Sequence, residues 1–262
     1  MPSASNGRTP RYERIGQGYA QTRREDPRLA ERIHDALRDA RSIVNVGAGA
    51  GSYEPRNRYV IAIEPSDVMA AQRPRDRPPA IRASAGELPL RDQSVDAAMA
   101  ILSIHHWDEE QERGVREMRR VARGPVVILT YDANISGQMW LMADYLPEVA
   151  ALDRRIFPSA DQLAAWLEGA LRVETVEIPA DTPDWTLGSF WAHPERVLDP
   201  VARGATSGFA RMEAPVIDRV VEAVRSDLDS GAWDRRHGHL RRLRSFDAGM
   251  RLIIGTPDPM HE

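Results

Sequence analysis

The 262-residue chain has no cysteine and no lysine. All 35 basic side chains are therefore arginines, set against 39 acidic ones for a net charge of −4. The missing lysine excludes Schiff-base chemistry and a P-loop for a nucleoside triphosphate, and the missing cysteine excludes a thiol nucleophile and a thiolate metal site. Disulfides are excluded too, so nothing marks an oxidising compartment. No apolar run approaches the roughly 20 residues that span a bilayer. The opening MPSASNGRTP has no apolar stretch of the signal-peptide kind and reads as a disordered tail over residues 1–10. The slight acidic excess argues against a generic nucleic-acid binder, which needs a basic surface. A cytoplasmic protein is expected.

What the chain does contain is an alternation of strands and helices. Tyr12 to Ala20 and Asp26 to Ala40 read as helices, the second opened by Asp26 as N-cap and Pro27 at the first helical position, with Leu29, Ile33 and Leu37 on one face. Strands are expected at Ser42 to Val46, Tyr59 to Ile63, Val95 to Leu102 and Pro125 to Thr130. Between the last two, Glu109 to Arg123 carries Val115, Met118 and Val121 at helical spacing, with Asp108 as its expected cap. Continuously apolar strands alternating with helices describe an α/β domain around a buried, mostly parallel sheet. Later, Ser159 caps a helix from Ala160 to Leu167, and Leu171 to Ile178 and Met250 to Ile254 read as strands. The long stretch between those strands is too long for an unstructured loop and carries Ile217, Val220, Val221 and Val224 in helical pattern. Four segments follow: the tail, closing helices over 11–40, a core over 41–178 plus 249–256, and a helical cap over 179–248.

The first strand runs straight into Gly47-Ala-Gly49-Ala-Gly51, and Glu64-Pro65 closes the second. Glycines let a backbone approach a ligand closely, and a carboxylate at the tip of the next strand can accept both hydroxyls of a ribose. A dinucleotide site would want G-x-G-x-x-G opening a full helix. Here the third glycine comes one residue early, and Ser52 to Arg58 leaves room for barely a turn or two. A pyrophosphate would lack its helix N-terminus, whereas S-adenosylmethionine carries no phosphate and needs none.

The runs VNVGAGAG, AIEPS and RASAGELPLRDQSVDAAMAILSIHHWDE resemble the class I S-adenosylmethionine-dependent methyltransferases, in particular the small-molecule, type 11-like branch. The resemblance spans about Tyr12 to Thr130. It implies a Rossmann-like seven-stranded, mostly parallel sheet with helices on both faces and a reversed final hairpin, into which the helical cap read above is inserted before the last strand. It further implies that Gly47 and Gly49 pass under the methionine part of the cofactor and that Glu64, with Pro65 beside it, holds the ribose. Ser84 and Ala85 would flank the adenine, although the family often has an aspartate where Ser84 stands. Ile101 would offer its backbone near the methionine amino group. The leading stretch with Tyr12, Tyr19, Arg23 and Arg24 is similar to the helix that closes over the cofactor in this branch, and an arginine fork suits the cofactor carboxylate.

On the acceptor side, His105 and His106 follow the third of these strands at the ligand-binding end of the sheet, and a neutral imidazole there can act as general base. Neighbouring histidines on a strand or turn are expected to point apart, so one at most would face the cofactor, and no metal site is expected. Aromatics make up only 6% of the chain, yet Trp107, Tyr131, Trp140, Tyr145, Phe190 and Trp191 bunch in the segments that would lie over the cofactor. They are the candidate lining for a flat, apolar acceptor, with ordinary core packing as the competing explanation for each. The expected partner is a small-molecule acceptor, with no nucleic acid or membrane partner, bound by a monomer or homodimer. The arginine-only, alanine-rich texture suggests a high-GC bacterium and specialised metabolism. Two rivals remain: the same fold binding S-adenosylmethionine for a non-methylating reaction or as a binding module, and a nucleotide-sugar or NAD enzyme.

Overall fold

A computed structural model describes residues 23–257. The tail, the helix expected at 12–20, and with them Tyr12 and Tyr19, lie outside the described residues. The first described helix, α1 (Pro27–Ala36), starts as expected. The Asp26 side chain accepts from the Arg28 backbone N–H, Pro27 holds the first turn, and Leu29, Ile33 and Leu37 are buried.

Strands β1 (Ser42–Val46), β2 (Tyr59–Ile63), β3 (Ala80–Ile81), β4 (Ala97–Ile101), β5 (Val126–Tyr131) and β6 (Ala170–Thr175) follow in chain order. A short pair, β7 (Ile178–Pro179) and β8 (Ser245–Phe246), precedes the long final strand β9 (Met250–Thr256). Seven of them form one sheet in the order β3-β2-β1-β4-β5-β9-β6. The first five run parallel, and β9 runs antiparallel between β5 and β6. The expected reversed hairpin is present, but its first strand stops at Thr175 rather than Ile178. Ile178 instead pairs with Phe246 in the β7–β8 ribbon, so residues 180–244 leave and return through one narrow neck.

Side chains alternate across a strand, and this sorts the core into two layers. Ile43, Ala97, Met99, Val127, Leu129, Leu252 and Ile254 face α1 and the later helices. Val44, Val46, Ala98, Ala100, Val126, Ile128 and Ile253 face the other way, against α2 (Gln111–Val121) and, farther along, α4 (Ala160–Leu167). Val115, Met118 and Val121 are the buried stripe of α2 as their spacing predicts. Asp108 does not cap it. It sits in a separate 3₁₀ turn over Asp108–Glu110, and α2 starts without a side-chain cap. The capping box Ser159/Gln162 opens α4 as expected. On the first face, α3 (Pro147–Ile156), α5 (Ala214–Asp229) and α6 (Ala232–His237) pack over the sheet with Trp140, Trp191 and Trp233 in their midst. Among the described residues no helix is long and apolar enough to cross a membrane.

Candidate active site

At the carboxyl ends of β1, β2 and β4 lies a cavity of about 750 Å³. Its floor is the glycine turn, held in shape by specific bonds. The Ala48 N–H donates to the Ile63 carbonyl (2.9 Å), and the Gly49 N–H donates to Glu64 Oε2 (2.8 Å). Within this turn, Gly47 is the position where a side chain is least tolerable. It has a φ of +69°, and an added Cβ would fall 2.6 Å from Ser103 Cβ. No helix separates β1 from β2 among the described residues, so the turn presents backbone to the cavity without a helix N-terminus.

Beneath the turn lies an ion pair that sequence reasoning missed. Arg73 donates through Nη2 to both oxygens of Glu54 (3.0 and 2.8 Å) and through Nη1 to the Gly49 carbonyl (3.3 Å). The Asn45 side-chain amide donates to Glu54 Oε1 (3.0 Å), while Asn45 Oδ1 is buried with no hydrogen-bond partner among the described residues. Asn45 also lines the cavity. An orphaned buried acceptor there is the kind of atom a bound donor, such as an amine, would satisfy.

Glu64 stands at the tip of β2. One oxygen accepts from Gly49 and the other from the Ser66 N–H (2.8 Å), which leaves further lone pairs on both for a ligand. Burial pushes its carboxyl above the usual range, against those two hydrogen bonds and the nearby Arg73 and Arg82. At another wall, Ser84 and Ala85 meet Trp107, Glu109 and Glu110. The Trp107 ring lies against Gly114 of α2, where a Cβ would come within 2.7 Å of it. Trp107, an expected acceptor contact, therefore stands beside the residues expected to flank adenine. Ser84 Oγ reaches Glu110 Oε1 at 3.5 Å, so a carboxylate is present on that wall despite the serine.

A second, smaller cavity of about 70 Å³ adjoins the first, and Arg23, Leu102 and His106 line both. Leu102 holds a φ of +51° at this junction, a strained conformation for a side-chain-bearing residue. His105 and His106 do not point apart. They share a 3₁₀ turn (Ile104–His106), and their ring centroids lie 3.8 Å apart. His106 lines both cavities, whereas His105 lines only the smaller and stacks on Phe157 at 4.5 Å. Burial, with Arg211 and Arg23 nearby, pushes the His105 imidazole down to about 3, so it is neutral. Arg211 Nη2 lies 2.8 Å from His106 Nδ1. A guanidinium only donates, so Nδ1 accepts and the His106 proton sits on Nε2.

Tyr131 lines the smaller cavity and shares a hydrogen bond with Thr186 Oγ1 (2.9 Å). Arg23 reaches both cavities while its Nε donates to Asp184 Oδ1 at 2.5 Å, and the buried Tyr53 hydroxyl donates to Asp184 Oδ2 at 2.8 Å. The other expected contacts are elsewhere. Arg24 is exposed and lines neither cavity. Trp140, Tyr145, Phe190 and Trp191 line neither and are buried in the core. There Trp140 Nε1 donates to the Trp191 carbonyl (2.9 Å) and Tyr145 to Asp227 (2.6 Å). Their bunching in sequence reflects packing of helix on helix, where large aromatic surface is most stabilising. Gly47, Gly49, Glu64, Pro65, Ser84, Ala85, Ile101, Arg23, His106 and Trp107 all share the large cavity. Asp153, which reasoning from sequence passed over, lines the small one. Its signal was faint: it follows the buried Val149 and Ala150 by four and three positions, which puts a carboxyl on the apolar face of α3.

Comparison with known proteins agrees with this geometry. A family model described as a methyltransferase domain matches residues 44–128. A crystal structure from Anabaena variabilis, described as a methyltransferase from an antibiotic biosynthesis pathway, is 31% identical. It covers 90% of this chain and 99% of its own, with a TM-score of 0.82. The chain belongs to the class I S-adenosylmethionine-dependent methyltransferase family. The fold extends to more distant members. A Thermotoga maritima S-adenosylmethionine-dependent methyltransferase is 16% identical, with 94% and 92% of the two chains covered and a TM-score of 0.50. Haemonchus contortus phosphoethanolamine N-methyltransferase 2, in complex with S-adenosyl-L-methionine, is 13% identical, with 88% and 53% covered and a TM-score of 0.52. No curated protein sequence matches.

Proposed function

We propose that the protein transfers a methyl group from S-adenosylmethionine to a small apolar or aromatic acceptor, at an oxygen, nitrogen or carbon, in bacterial specialised metabolism. The observation that carries this reading is the large cavity itself. Its volume suits a nucleoside joined to an amino acid, and its walls bring together the glycine turn, the Glu64 carboxyl and the orphaned Asn45 oxygen without any phosphate anchor. Glu64 would hold the ribose, with Pro65 beside it, and Ser84, Ala85 and Trp107 would flank the adenine. Gly47, Gly49 and the Ile101 backbone would hold the methionine part, its amine near Asn45. Arg23 is the arginine placed to meet the cofactor carboxylate. Bound there, the cofactor supplies an electrophilic sulfonium methyl. The chain's own residues hold donor and acceptor in line and exclude water, the usual source of rate in such a transfer. Of the segment 11–40 expected to close over the cofactor, Arg23 is the described residue that reaches the cavity, and 179–248 would cap the acceptor side.

The alternative within the same fold is cofactor binding without methyl transfer. Incubation with S-adenosylmethionine labelled in its methyl group and a panel of small aromatic hydroxyls and amines separates the two. Label in any product supports transfer. Binding of S-adenosylhomocysteine with no label moved to any of them supports the alternative. Thermal stabilisation by NAD but not by S-adenosylhomocysteine would overturn both.

A further inference from the structure

We propose that the smaller cavity and the adjoining end of the larger one together seat the methyl acceptor and that Asp153 binds and deprotonates it, the acceptor being an aromatic hydroxyl compound. This rests on the methyl-transfer reading above.

The cavity has the form of an aromatic slot. Phe157 lies between the His105 ring at 4.5 Å and the edge of Tyr131 at 5.9 Å, with Leu187 and Met142 also on the walls. It opens on the cofactor-sized cavity through Leu102 and His106, so an acceptor in it lies directly beside the larger site. Asp153 brings a carboxyl into this slot from α3, and that carboxyl makes no hydrogen bond or ion pair among the described residues, whereas the residue's backbone carbonyl accepts from the Phe157 N–H. A partly buried acid without a partner costs free energy in the empty protein, and a hydroxyl donated to it recovers that cost.

The histidines are poorly suited to take the proton. His106 already carries one on Nε2, because Arg211 occupies Nδ1. His105 is held neutral by burial with a much weakened basicity. Asp153 is the group poised for it, since burial pushes its carboxyl up to about 7 against the pull of Arg211 and Arg154. The charged and titratable groups around it are Arg23, Arg211, Arg154, His105, His106 and Tyr131. Of the cations, Arg23 is paired with Asp184, whereas Arg211 and Arg154 act directly on Asp153. A site with guanidinium groups already acting on its one carboxyl favours a neutral hydroxyl over an ammonium ion. In the transfer, the hydroxyl oxygen bonds to the sulfonium methyl and the methyl–sulfur pair stays on sulfur. The hydroxyl proton passes to the Asp153 carboxylate.

The test is calorimetric and needs no knowledge of the natural acceptor. Full-length protein saturated with S-adenosylhomocysteine is titrated with phenol, with toluene as the hydroxyl-free control and benzylamine as the cationic one. Phenol is expected to bind at least ~10-fold tighter than toluene, with benzylamine no tighter than toluene. In Asp153→Leu that preference falls below ~3-fold, while S-adenosylhomocysteine affinity is unchanged. Asp153→Ala serves the same purpose should the leucine variant fail to fold. Equal binding of phenol and toluene by the wild type, survival of the preference in either variant, or selective binding of benzylamine overturns the assignment. Failure of S-adenosylhomocysteine itself to bind overturns the methyl-transfer reading instead, so the two failures are distinguishable.

Discussion

The ion pair under the glycine turn offers the sharpest quantitative test of how this chain builds its site. The Glu54 side chain is 0% exposed and that of Arg73 3%. Arg73→Met keeps much of the volume but leaves the Glu54 carboxylate buried with only the Asn45 amide and a more distant Arg77 Nη1 at 3.9 Å. Breaking a buried pair from one side costs about 3–5 kcal/mol, because the stranded charge keeps its desolvation penalty. For a chain of this size that corresponds to a fall in Tm of roughly 6–20 °C. The double variant Glu54→Met/Arg73→Met removes both charges, and it should recover at least half of the loss. The assay is urea denaturation of the wild type, both single variants and the double variant, read as a double-mutant cycle. A coupling of roughly 2 kcal/mol or more is expected, and one under about 0.5 kcal/mol would refute the reasoning. The control is Arg116→Ala, on the exposed Arg116–Glu112–Glu168 cluster, which should leave Tm unchanged. Because Arg73 also holds the Gly49 carbonyl, Arg73→Met is further expected to weaken S-adenosylhomocysteine binding, whereas Arg116→Ala is not.

Other consequences follow from single residues. Gly47→Ala places a Cβ against Ser103 at a positive φ. It should lower S-adenosylhomocysteine affinity at least ~10-fold and cost about 1–3 kcal/mol, measured by calorimetry and denaturant titration. Trp191→Ala should cost about 3–5 kcal/mol yet leave S-adenosylhomocysteine affinity intact under conditions where it is folded, because the indole lines neither cavity. Lost affinity in the folded variant would return Trp191 to the site. Asp153 predicts a pH dependence. Its carboxyl rises from the usual 3.8 to about 7 on folding, so the folded state binds this proton more tightly than the unfolded one. The resulting stability is complete below about pH 4 and is lost as pH rises through about 7, at most about 4 kcal/mol in all. Asp153→Asn should therefore gain on the wild type steadily between pH 4 and about pH 7 in thermal melts and level off above that. A constant difference would show that Asp153 is solvated.

The residues whose positions were legible in the sequence are those set by local chemistry. A glycine turn directly after an apolar strand, and a carboxylate at the tip of the next, lie together because parallel neighbours in a sheet bring their carboxyl ends together. Gly47, Gly49 and Glu64 thus meet in one cavity as their spacing implies. Helix caps at Asp26 and Ser159 and the stripe Val115, Met118, Val121 were legible for the same reason, since their periods and caps are contained in a dozen residues. Where a side chain's surroundings come from distant segments, sequence could not decide.

Aromatic bunching looked the same whether it lined a pocket or filled a core. Only the packing of residues 133–156 against 180–244 buried Trp140, Tyr145, Phe190 and Trp191. Adjacent histidines after a strand suggest diverging side chains, yet a 3₁₀ turn brings their rings together while Arg211, 105 positions away, sets the tautomer of His106. Asp153 and the Glu54–Arg73 pair gave almost no sign. A charged residue at a helical position is ordinarily solvated, and only tertiary contact reveals which few are buried. The absence of lysine and cysteine, visible at once, limited the chemistry to what arginine, histidine and carboxylates can support. Which of them reach the site was decided by the fold, because burial and distance are properties of the folded chain alone.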